Sequence, residues 1–159
     1  MGIGPSTKET SLHHFRDPLL DVVAEDTDLD LMGVMLVGSP DGNEDKLLVG
    51  TRAAIAAECM RADGVIVSCD GWGNSHVDYT NTMEQIGIRG IPAAGITFNG
   101  TVAQFVVVND YLDAIVDINK SATGEETNVL GENNMVEKDC KIALYKLKAK
   151  MKKKELEEG

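Results

Sequence analysis

Apolar positions along the chain fall into short continuous runs separated by longer stretches that repeat at helical spacing. Leu31 to Val37 (LMGVMLV) is the first run, closed by the turn-rich Gly38-Ser-Pro-Asp-Gly. A short uninterrupted apolar run bounded by turn residues reads as a strand buried on both faces. From Glu44 to Ala62 the pattern changes period, and Leu48, Arg52, Ile55, Cys59 and Ala62 recur every three or four residues. That spacing predicts a helix with these residues on its inward face, Arg52 through its stem, and Asp41 or Asn43 capping the start.

Gly64 to Cys69 (GVIVSC) predicts a second buried strand, and Pro92 to Thr97 (PAAGIT) a third, with Pro92 tolerated at its start. Between them a helix is expected to about Ile88, with Tyr79, Met83 and Ile86 inward and Gly87 or Gly90 near its end. Ser75 with Asp78 three residues on resembles a capping box at its start. Val102 to Val108 fits a short helix or a strand equally well, and Ala114 to Ile118 predicts a fourth strand. A polar stretch, Asn119 to Asn134, reads as a long surface loop. A final helix from about Val136 to Leu156 carries Cys140, Ala143 or Leu144, Leu147 and Met151 on one stripe.

Alternation of strand and helix points to an α/β fold. The expected architecture is three-layered, a mostly parallel sheet of about four strands flanked by helices, with a long C-terminal helix. Gly2, Gly4, Pro5 and Pro18 break any long pattern near the start, where only Leu19 to Ala24 offers a short helix or strand. The organisation expected is an irregular segment at 1–28 followed by a single α/β domain at 29–159.

Composition narrows the function. A formal net charge of −11 over 159 residues repels a nucleic-acid backbone. The basic run from Lys146 to Lys154 is interleaved with apolar residues and followed by Glu155, Glu157 and Glu158, as on a solvated helix face. No apolar run approaches the roughly 20 residues that cross a bilayer, and no export signal opens the chain. Cys59, Cys69 and Cys140 form no CxxC pair, so neither a disulfide framework nor a metal site is expected. Free thiols suit a reducing compartment, and a cytoplasmic location is expected.

Ligands of open α/β sheets gather at the carboxyl ends of the strands. Here that edge brings together Gly38 to Asp41, then Ser68 to Asn74, then Thr97 to Gly100. The middle segment is the most unusual: Cys69, Asp70, Gly71, Trp72, Gly73 and Asn74, with His76 just beyond. Glycines let backbone approach closely, and a helix start offers free N–H groups to an anion such as an amino-acid carboxylate. These residues, with Asn99, are the candidate substrate- or partner-binding set. Ordinary turn and cap chemistry explains Asp70-Gly71, Gly73-Asn74 and Ser75 equally economically. A nucleophilic Cys69 has only His76 nearby to generate a thiolate. The segment from Thr7 to Asp17 holds Ser11, His13, His14 and Arg16, but the spacing of Ser11, His14 and Asp17 is too local for a triad. Phosphate-binding motifs are absent: Gly71-x-Gly73 is not followed by a third glycine, and GxxxxGK[ST] does not occur.

GVIVSCDGWGNSHVDYTNTMEQIGIRGIP (64–92), QFVVVNDYLDAIVDINKSATGEETNVLGENN (104–134) and VEKDCKIALYKLKAKM (136–151) form one long collinear pattern. It resembles the last part of the proproteins of glycine, sarcosine and betaine reductase component B and of D-proline reductase. The resemblance implies an amino-acid reductase. In such proteins a proprotein cleaves itself at a cysteine, and the downstream chain begins with a pyruvoyl group whose carbonyl captures the substrate amine. A selenocysteine-bearing subunit then attacks the α-carbon, and the C–N bond breaks reductively.

The cysteines of this chain lie in or after the second predicted element, so no pyruvoyl group of its own is expected, and no catalytic residue carries over. The resemblance implies an accessory or partner subunit, associated with other reductase subunits and with D-proline or a related amino acid. Two further readings are a catalytic subunit, with a pyruvoyl group from Ser11 or a redox thiol at Cys69, and a flavodoxin-like module that binds a small molecule.

Overall fold

The computed structural model of the chain describes residues 18–69, 74–100, 104–124 and 133–159. Helix α1 spans Pro18–Ala24, α2 Asn43–Cys59, α3 Asn74–Ile88 and α4 Glu137–Glu158. Strands β1 (Val65–Ser68), β2 (Ala93–Thr97) and β3 (Ile115–Asp117) form one sheet in the order β1-β2-β3. Both pairings are parallel, with Val65 opposite Ala93 and Gly95 opposite Ile115. The α/β class and the long C-terminal helix expected from the pattern are present.

Side chains alternate across the sheet and divide the core in two. Ile96, Phe98, Val116 and Ile118 pack with Val22 of α1 and with Cys140, Ala143 and Leu144 of α4. On the opposite face, Ala93 packs with Tyr79, Met83 and Ile86 of α3 and with Ala54 and Ala57 of α2. The central strand is buried along its whole length. Its small residues bring α3 close: a Cβ at Gly95 would run into the Tyr79 hydroxyl. Gly90, at φ +71°, closes α3, where the Ile91 N–H reaches back to the Ile86 carbonyl at 3.3 Å. That left-handed C-terminal turn is one that glycine adopts at least cost.

Three expectations are corrected. The sheet has three strands among the described residues, because Leu31 to Val37 forms no strand and lies on the surface, with Leu36 90% exposed. A continuous apolar run predicts a strand only where a hydrogen-bonded neighbour receives it, and among the described residues β1 has none on its outer side. The buried face of α2 is not Leu48, Arg52, Ile55 and Cys59. It is Lys46, Gly50, Ala53, Ala54 and Ala57, while Leu48, Ile55 and Cys59 are exposed. Small side chains let α2 and α3 approach closely; a Cβ on Gly50 would strike the Asn81 amide, which donates to the Leu47 carbonyl at 3.3 Å. Finally, Asp78 does not close a capping box, since its carboxylate bonds to Ser39 and Lys46.

The C-terminal helix follows its predicted stripe, with Cys140, Ala143, Leu144 and Leu147 buried. Its first turn is held by Asp139, whose carboxylate accepts the Val136 N–H at 3.0 Å. Between β2 and β3, residues 104–108 form neither helix nor strand, and Val106 to Val108 are exposed. Among the described residues no helix is long and apolar enough to cross a membrane.

Candidate functional site

Strands β1, β2 and β3 end on the same side of the molecule, as parallel pairing requires, and α3 starts there. Cys69 stands at the end of β1, half-buried, and its N–H donates to the Ile96 carbonyl at 2.9 Å. Asp70, Gly71, Trp72 and Gly73 lie outside the described residues. Asn74 opens α3, and its side chain also lies outside the description.

His76, two residues into α3, is 1% exposed. Its Nε2 lies 3.1 Å from both the Thr97 hydroxyl and the Phe98 carbonyl. A carbonyl only accepts, so Nε2 carries a proton and donates to Phe98. The ring packs 4.9 Å from that of Phe105, which stacks on Tyr79 at 6.0 Å. His76 thus ties the start of α3 to the end of β2.

Asn99 follows β2. Its N–H donates to Asp117 Oδ1 at 3.1 Å, and its own side-chain oxygen is buried without a partner. Of the sequence-predicted set, the structure brings Cys69, His76 and Asn99 to the ends of adjacent strands. Ser11, His13 and His14 lie outside the described residues, and among those described no three metal-ligating side chains gather.

Several groups at this edge escaped the sequence reading. Asp117 at the end of β3 accepts the N–H groups of Asn99, Gly100 and Asn119 at 3.1, 2.9 and 3.0 Å, binding the ends of β2 and β3 together. Lys120 bridges from this loop to Asp139 of α4 at 2.8 Å, and the buried Asn133 accepts its N–H at 2.7 Å. Tyr79 is buried with its hydroxyl unpartnered; burial pushes the phenol well above its ordinary range, and the nearby Cys69 adds to the effect. Lys46 and Asp78 form a buried ion pair at 2.7 Å, with side chains 1% and 9% exposed. The lysine's position on the small-residue stripe of α2 was the one sequence signal for it.

The cysteines do not fit as the source of a pyruvoyl group. Cys59 ends α2, Cys69 directly follows β1, and Cys140 is buried in the first turn of α4. Cleavage ahead of any of them would divide the folded sheet and its helices.

The family model for glycine/sarcosine/betaine reductase component B subunits matches residues 2–142. The chain is 39% identical over 154 residues to the D-proline reductase proprotein PrdA of Acetoanaerobium sticklandii, a match that covers 97% of this chain and 24% of that one. The chain thus spans about a quarter of the length of the curated relative it matches. No solved structure matches.

Proposed function

The chain belongs to the glycine/sarcosine/betaine reductase component B family, and on that premise we propose that it is a component of an amino-acid reductase acting on D-proline. The observation that carries the D-proline assignment is the likeness along nearly the whole chain to a D-proline reductase proprotein. The reaction is reductive cleavage of the ring C–N bond: two electrons and two protons convert D-proline into an open-chain amino acid.

In this reading the chain works as a partner. The carbonyl that captures the amine and the selenolate that attacks the α-carbon come from other subunits of the assembly. Its contribution is the strand-end surface, where Cys69, Asp70, Gly71, Trp72, Gly73, Asn74, His76 and Asn99 meet the substrate or the neighbouring subunit. The buried hydrogen bonds of His76 support this, since they fix the start of α3 against the end of β2 at this edge. The unpartnered oxygen of Asn99 offers an acceptor at the same edge.

The test is recovery of the tagged chain from cells fermenting proline. Reductase subunits, including the selenocysteine-bearing one, are expected to co-purify with it. Recovery free of every reductase subunit from cells that make them removes the proposal.

A further inference from the structure

We propose that Ser39, Lys46 and Asp78 form a ligand site of their own, apart from the strand-end residues above, and that its ligand is a zwitterion such as an α-amino acid. Lys46 lies in the first turn of α2 and is 1% exposed. Its Nζ donates to Asp78 Oδ2 at 2.7 Å, and the Ser39 hydroxyl donates to the same oxygen at 2.6 Å. Asp78 Oδ1 is buried and accepts no hydrogen bond among the described residues. The ammonium of Lys46 has three protons, and the Asp78 carboxylate is its one acceptor among the described residues.

One pair therefore carries two complementary vacancies, a donor on the cation and an acceptor on the anion. Leaving such groups unfilled in a buried place is costly, more so for charged groups than for neutral ones. A lone anion would satisfy Lys46 but face the Asp78 carboxylate, and a lone cation would meet the reverse problem. A molecule bearing both charges close together fills both: its carboxylate accepts from Lys46, and its ammonium N–H donates to Asp78 Oδ1. The site keeps its net neutrality when the ligand enters.

Position supports this. Lys46 and Asp78 sit in the opening turns of α2 and α3, where helix dipoles favour a carboxylate. Ser39 is exposed on an irregular stretch, and the space beside its neighbour Gly38 is open. The inference does not require the assembly proposed above: a chain that co-purifies with no reductase can still bind a zwitterion, and the converse also holds.

The experiment is calorimetric titration of the full chain with D-proline, L-proline and glycine. Pyrrolidine supplies the amine alone, and tetrahydrofuran-2-carboxylate the acid alone. The zwitterions are expected to bind and both half-ligands to bind about tenfold more weakly or worse, as loss of one charged hydrogen bond implies. Because removing one partner of a buried pair can unfold the protein, the decisive variant replaces both, Lys46→Met with Asp78→Leu. Its folding is checked by circular dichroism. Loss of zwitterion binding in the folded double variant supports the site. Absence of zwitterion binding by the parent chain, half-ligands as tight as zwitterions, or unchanged binding by the folded double variant overturns it.

Discussion

Removing one member of the Lys46–Asp78 pair is expected to destabilise the fold strongly, whereas removing both should leave it nearly unchanged. Asp78→Leu leaves the Lys46 ammonium 1% exposed with its carboxylate gone. The Ser39 hydroxyl loses its acceptor as well, but it is exposed and can turn to water. An uncompensated charge at that depth costs about 3–5 kcal/mol, a large part of the roughly 5–15 kcal/mol that holds a domain together. Adding Lys46→Met removes the stranded charge and keeps the volume. Replacing a buried pair by apolar residues as a unit is neutral or stabilising. The double variant should therefore lie within about 1 kcal/mol of the parent, with a coupling of at least about 2 kcal/mol. Urea denaturation followed by circular dichroism measures this directly. With a slope of about 2 kcal/mol per molar, Asp78→Leu should lower the midpoint by about 1.5–2.5 M, and the second change should restore it. A loss below about 1 kcal/mol for Asp78→Leu, or a double variant no better than the single one, would refute the claim that Lys46 is a charge buried against this one carboxylate.

Four further substitutions test the packing. The Tyr79 hydroxyl is buried and unpartnered, so Tyr79→Phe should raise stability by about 1 kcal/mol at neutral pH, read by thermal melting. The buried phenol holds its proton more tightly than the unfolded one, so the unfolded chain ionises first as pH rises. Parent stability should accordingly fall above about pH 10, the ordinary tyrosine value, and Tyr79→Phe should lose less over that range. On α2, Gly50→Ala should cost about 1–3 kcal/mol by forcing a methyl into Asn81, whereas Ile55→Glu on the exposed face should stay within about 0.5 kcal/mol in urea titration. Arg61 ends α2 at φ +58°, and the Ala62 N–H bonds back to the Ala57 carbonyl at 3.1 Å. Arg61→Gly should relieve that left-handed backbone and raise the melting temperature by a few degrees, about 1 kcal/mol.

Strands β1, β2 and β3 were legible because their apolar runs are short, continuous and bounded by turn residues, and α4 because its stripe has one period and no rival. The run at Leu31 to Val37 has the same appearance, yet whether such a run pairs depends on a neighbour that local pattern does not contain. Helix α2 offers two stripes, and strength of hydrophobicity selects Leu48 and Ile55 while close packing against α3 selects Gly50, Ala53, Ala54 and Ala57. Size of side chain, more than apolarity, decided that contact. At the site, the strand-end location of Cys69, His76 and Asn99 followed from the α/β rule. The pairing of Lys46 with Asp78, 32 positions apart in sequence, depends on the register of two helices, which local pattern does not contain.

The reductase reading rests on the chain contributing to D-proline reduction, and genetic removal measures that contribution most directly. Cells deleted for the chain and complemented in trans are assayed in extract for D-proline consumption and for the ring-opened amino acid formed from it, with dithiol as reductant. The expected result is a fall in D-proline reduction on deletion, restored by the parent chain and not by a variant lacking residues 69–76. Undiminished reduction in the deletion strain, with the other reductase subunits at their normal levels, contradicts it.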